Sequence, residues 1–137
     1  THRYIRGLQA NELTQELRKN IYGEAPTIVC GDINSHHKHW ESGNWTKDMS
    51  FEYGLFVESL GMSDAFPTEE DYTYNPKLNA FAQLGEVKNR VPERLDYIFF
   101  KCPQNQFAPT TSKLIFNERQ KNGHFLSDHF GVLVDFS

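Results

Sequence analysis

Three strand-like runs follow one another in the second half of the chain, residues 94–100, 111–116 and 131–136, with no helical period between them. The first half differs. Ala10, Leu13, Leu17 and Ile21 recur at spacings of three and four, which predicts a helix from just after Gly7 to about residue 22, stopped by Gly23. Residues 1–5 before it read as the end of a strand. Thr27-Ile28-Val29-Cys30 is a short continuous run of the kind that suits a strand buried on both faces. Ser50 is a good N-cap, and Tyr53, Phe56, Val57 and Leu60 form one buried stripe of a second helix ended by Gly61. Residues 62–66 read as a short extended connection. Helices in the first half and consecutive strands in the second predict an α/β (α+β) fold, a mixed β-sheet with helices on one face. At 137 residues the chain holds one domain.

A net charge of −4 argues against sequence-blind binding to nucleic acid or to an anionic membrane surface, which calls for a basic face. No run is apolar enough to span a bilayer. Cys30 and Cys102 are expected to be reduced, and neither has metal-ligand spacing to a second cysteine. Residues 67–93 carry proline, asparagine and tyrosine without a sustained period; a loop of that length in a compact domain is usually functional or mobile.

Chemistry-bearing residues cluster at the ends of the apolar runs. The strand at 27–30 stops at Gly31 and delivers Asp32 and Asn34, two apart, so both can point to one side. Asp32 could hold a metal or handle a proton, and Asn34 could donate to a phosphate oxygen; a plain turn is the alternative, since Gly, Asp and Asn all favour turns. Asp128-His129 leads into the last strand. His129 is a candidate general base, and Asp96, a carboxylate on an otherwise apolar strand that must find a partner, is the candidate to orient it. A turn acid and a core histidine are the bland alternative for that pair. Thr1-His2 is a weaker feature. His36, His37 and His39 lack the spacing of the common zinc arrangements and read as a surface cluster. Trp40 and Trp45 form either a loop anchor or a ligand-contacting pair. No Gly-x-Ser-x-Gly elbow, Gly-x-Gly-x-x-Gly or P-loop pattern occurs.

Taken in order, Thr1-His2, Gly31-Asp32-Ile33-Asn34, Arg94-Leu95-Asp96-Tyr97 and Ser127-Asp128-His129 resemble the endonuclease/exonuclease/phosphatase superfamily of DNase I-like proteins. Tyr72-Thr73-Tyr74-Asn75-Pro76, Asn79-Ala80 and the run from Leu126 to Val132 look closest to its neutral sphingomyelinase branch. The resemblance implies a metal-dependent phosphodiesterase, normally using magnesium (Mg). In it His129 activates water, Asp96 orients His129, Asp128 lies at the metal, Asp32 and Asn34 contact the phosphate, and His2 sits near it and favours the leaving group. The implied substrate is sphingomyelin or a related phospholipid. A DNase I-like nuclease acting on nucleic acid, or a non-catalytic binding module that keeps the fold, are the alternatives. The family fold is a four-layered α/β/β/α sandwich, and residues 1–137 match its C-terminal half. The N-terminal half of the same domain is therefore an expected partner. Without it one sheet face is left apolar and open, and the isolated chain is expected to be inactive or nearly so.

Overall fold

The structure, a computed structural model, describes residues 2–21, 25–83 and 91–137, with side chains in the first segment from Tyr4 to Lys19. Thr1, Gly23 and part of the long loop lie outside the described residues.

A single helix, α1, runs His2–Ile21. It corrects the expected strand end at residues 2–5. Gly7 does not break it, since an isolated glycine costs a helix only about 1 kcal/mol. Tertiary contact compensates: α1 crosses the start of the second helix so closely that a Cβ on Gly7 would lie 3.5 Å from the Phe51 ring. The buried stripe of α1 is also shifted from the expected one. Thr14, whose hydroxyl bonds back to the Asn11 carbonyl at 2.9 Å, is buried and Leu17 packs on the core, whereas Leu13 is 45% exposed.

Helix α2 spans Phe51–Gly54 and continues through a wider turn, Leu55–Ser59, closed by the Leu60 amide on the Leu55 carbonyl. Ser50 caps it, its hydroxyl accepting from the Tyr53 amide at 3.4 Å. The expected stripe holds: Phe56 and Leu60 are buried, with Tyr53 and Val57 packed beside them.

Strands β1 (Thr27–Asp32), β4 (Ser63–Asp64) and β5 (Asp96–Lys101) form a sheet in the order β1-β5-β4, while β2 (Lys38–Glu41) pairs with β3 (Asn44–Met49) and β6 (Pro109–Ile115) with β7 (Gly131–Phe136). The α/β class and the helices on one face hold. In detail, the pairings are antiparallel and fall into three groups rather than one continuous sheet. One face of β1 and β5, with Val29, Tyr97 and Phe99, packs on Phe56, Leu60 and Met62; Phe56 and Phe99 stack with ring centres 4.7 Å apart. Arg94 is buried beneath this layer, its guanidinium 2.6 Å from Asp64 and over the Tyr97 ring. The other face is open. Ile28 is 48% exposed and Cys30 is exposed, so β1 is not covered on both sides. Phe136 of β7 covers part of that face at Phe100, 5.6 Å between ring centres.

The β2–β3 hairpin turns at Ser42-Gly43, both with positive φ (50° and 87°), as a two-residue turn between right-twisted strands requires. Both cysteines are free. Among the described residues, no helix is long and apolar enough to cross a membrane.

Candidate active site

The register of β1 on β5 sets Asp32 directly opposite Asp96 at the open end of the sheet. Gly31, at φ 154°, takes a backbone conformation that residues with a Cβ rarely adopt, and Asp32 follows it immediately. The chain then reverses: the Asn34 amide donates to Asp32 Oδ1 at 2.7 Å and Asn34 itself has φ 54°. The turn reading of Gly-Asp-Ile-Asn is thus correct locally, and the turn is also what presents the two polar side chains.

His129 arrives from the loop before β7. Its Nδ1 lies 2.8 Å from Asp96 Oδ2. One ligand atom from each of Asp32, Asp96 and His129 lies within 4.8 Å of the others. Asp128 is exposed beside them; the Ser127 hydroxyl donates to its Oδ1 at 3.1 Å and accepts from the His129 amide at 3.2 Å. Of the residues named from sequence, Asp32, Asn34, Asp96, Asp128 and His129 are brought to one end of the sheet. His2 opens α1, and its side chain lies outside those described.

The long loop supplies what sequence reasoning did not assign. Tyr74 bridges to both Glu93 and His129, and the Phe130 amide donates to the Thr73 carbonyl at 2.6 Å. The Thr73 hydroxyl, fully buried, accepts from the amides of Leu95 (2.9 Å) and Asp96 (3.1 Å). Asn79, also fully buried, donates to the Ser127 carbonyl at 2.7 Å. Residues 73–79 thereby tie the His129 loop to the strand that carries Asp96. Their signal in the sequence was the motif at 72–76, without a role attached.

His36 corrects the surface-cluster expectation. It is 4% exposed, and its Nδ1 accepts from the Arg94 amide at 3.0 Å. His37 stands against its ring, centroids 4.1 Å apart, and is nearly as enclosed; His39 is exposed. Burial holds His36 down to about 3 and His37 to about 4, with neighbouring positive charges adding to the effect, so both are neutral near pH 7.

The electrostatics of the site are coupled. The hydrogen bond to Asp96 raises the His129 pKa above its usual value against the opposing effect of desolvation. Partial desolvation raises Asp32, exposed though the residue is, with Asp96 and Asp128 pushing the same way and the Asn34 amide opposing. Two carboxylates directly opposite across a strand pair repel. A hard divalent cation, which takes carboxylate oxygens and keeps waters, fits such a donor set. An imidazole fixed through Nδ1 leaves Nε2 for a reacting proton.

The framework is an α/β fold of the DNase I-like class. The chain belongs to the endonuclease/exonuclease/phosphatase family, a family of hydrolases that typically use divalent metal ions: the sequence profile of the Endonuclease/Exonuclease/phosphatase family matches residues 1–129. No curated protein matches the chain. Among solved structures it is similar to D. rerio TDP2 complexed with single strand DNA product (23% identity, TM-score 0.62, covering 96% of this chain and 49% of that one). A humanized D. rerio TDP2 with 14 mutations gives 21% identity and TM-score 0.59, covering 96% and 48%. An endonuclease/exonuclease/phosphatase family protein from Bacteroides thetaiotaomicron gives 21%, 0.56, 96% and 44%. At these identities the likeness is one of fold. The chain spans about half the length of each of these structures.

Proposed function

We propose that residues 1–137 form the C-terminal half of a metal-dependent phosphodiester hydrolase domain in which His129 is the general base. The observation that carries this reading is the 2.8 Å contact of His129 Nδ1 with Asp96, with a carboxylate oxygen of Asp32 within 4.8 Å of both residues. Asp96 fixes the ring and its tautomer and stabilises the cation that forms when Nε2 takes a proton from water. Asn34 donates to a non-bridging phosphate oxygen. Asp32 handles the entering or leaving oxygen, its raised pKa suiting a proton-carrying role. Asp128, exposed beside this group, would hold a magnesium ion. When bound, that ion supplies positive charge to the phosphate oxygens. His2 is assigned to the leaving-group side.

The open apolar face of β1 and β5, together with the half-length match to the relatives, supports the partnership with an N-terminal half. The chain by itself is expected to be inactive or nearly so. For the substrate, the D. rerio structure with its single-stranded DNA product favours a nucleic-acid phosphodiester. The motif at residues 72–76 favours sphingomyelin or a related phospholipid as a second reading.

The test is the completed domain with magnesium, assayed on single-stranded DNA, duplex DNA, sphingomyelin and inositol phosphates. His129→Ala should lower the rate on the preferred substrate by roughly 100-fold or more, the range of a lost general base. Activity unchanged in that variant would remove the assignment, and no activity on any of the four would remove the hydrolase reading.

A further inference from the structure

Next to the carboxylate cluster lies a cleft of about 200 Å3 that has no role in the chemistry above. One wall is the β2–β3 hairpin. Trp40 and Trp45 are cross-strand partners with ring centres 4.6 Å apart, edge to face. Trp45 is backed by the His36 ring at 4.1 Å, and His36 is bonded to the amide of Arg94, two residues before Asp96. The indoles are therefore fixed relative to the site.

A second wall comes from α1. The Nε of Arg6 is enclosed and ion-paired with the Glu52 carboxylate at 3.9 Å, without a hydrogen bond. Arg6 and Asn34 line both this cleft and an adjoining one of about 230 Å3 that reaches Asp32. The cleft thus begins at Asn34, the residue assigned above to the phosphate.

We propose that this cleft is the subsite for the nucleobase next to the scissile phosphate, with the Trp40–Trp45 pair as its stacking surface and Arg6 at its edge. The position relative to the phosphate rests on the phosphodiester reading above; the binding itself does not. Every base has a π-face, so indole stacking suits single strands of any sequence. The volume lies below the roughly 300–1,000 Å3 of sites for larger ligands and fits one ring system.

The chain has two tryptophans, and both line this cleft, so tryptophan emission, excited beyond the tyrosine band, reports on it alone. The metal-free chain is titrated with adenosine monophosphate, a short single-stranded DNA oligonucleotide, phosphocholine and inorganic phosphate. Saturable quenching by the first two and none by the others at equal concentration is expected. Trp40→Ala should weaken binding of a dye-labelled oligonucleotide, read by anisotropy, roughly tenfold, and Trp40→Phe should keep most of it. Absent quenching, equal quenching by phosphocholine, or unchanged affinity in a folded Trp40→Ala chain would overturn the proposal. The wild-type titration stands even where that variant fails to fold. Quenching without hydrolysis by the completed domain would spare the subsite and defeat the phosphodiesterase reading; hydrolysis without quenching would do the reverse.

Discussion

An imidazole held by one ring nitrogen has only the other to offer a substrate, and here the holding group is a carboxylate on the adjoining strand. Asp96→Asn keeps the shape and removes the charge. The His129 pKa should then fall back toward 6.5, which an NMR titration of the ring reads directly. In the completed domain the rate should drop by roughly 100-fold or more, because the amide can favour the wrong tautomer and cannot stabilise the imidazolium. An unmoved His129 titration would show that the pair is not coupled as its geometry implies. Thr73 acts at the same scale. Thr73→Val preserves volume but strands the amides of Leu95 and Asp96, each costing about 1–3 kcal/mol when buried without a partner. A fall of roughly 2–4 kcal/mol in urea unfolding, with an unchanged m value, is expected. A loss under 0.5 kcal/mol would mean that other acceptors take over.

Among the elements, β5 and β7 were legible because short apolar runs end in polar residues, and Asp96 stood out as an acid on an apolar strand. Helix α2 was legible from its cap and stripe. The beginning of α1 was not: Arg3-Tyr4-Ile5 favours strand locally, and only docking across Phe51 makes the helix continuous through Gly7. The β2–β3 hairpin was missed because its strands are short and mostly polar, leaving Ser42-Gly43 as the main cue. Burial of His36 depends on Arg94, 58 residues further on, which no local pattern encodes. The reading of α1 has a direct check. An alanine methyl at position 7 would meet the Phe51 ring at 3.5 Å, an ordinary contact, while removing a helix-interior glycine. Gly7→Ala should stabilise the chain by about 0.5–1 kcal/mol, read as a higher denaturant midpoint. Destabilisation would argue that α1 does not pass Phe51 as a regular helix.

For the whole molecule, the buried histidine pair makes stability depend on pH. Folded, His36 and His37 titrate at about 3 and about 4; unfolded, both return to 6.5. Above 6.5 both states are neutral and stability is full. As pH falls below 6.5 the unfolded chain binds protons that the folded chain refuses, and stability drops by up to about 1.4 kcal/mol per pH unit for each histidine. The loss levels off once the folded chain protonates too, below 3–4. His129 works in the opposite direction, since its raised folded pKa adds stability that is present below 6.5 and lost as pH rises through the folded value. The two lowered histidines outweigh His129 and Asp32, whose raised values act the other way, so acidification from pH 7 to 5 should cost roughly 2–3 kcal/mol, within the range that decides whether a marginally stable domain stays folded. His37→Leu isolates the effect. Both ring nitrogens of His37 are enclosed without hydrogen-bond partners, so the apolar replacement sacrifices no bond among the described residues. Denaturant unfolding at pH 7 and pH 5 should show comparable or greater stability at neutral pH and a markedly smaller loss on acidification. An unchanged pH dependence in this variant would place the acid sensitivity elsewhere, in the carboxylates around β5.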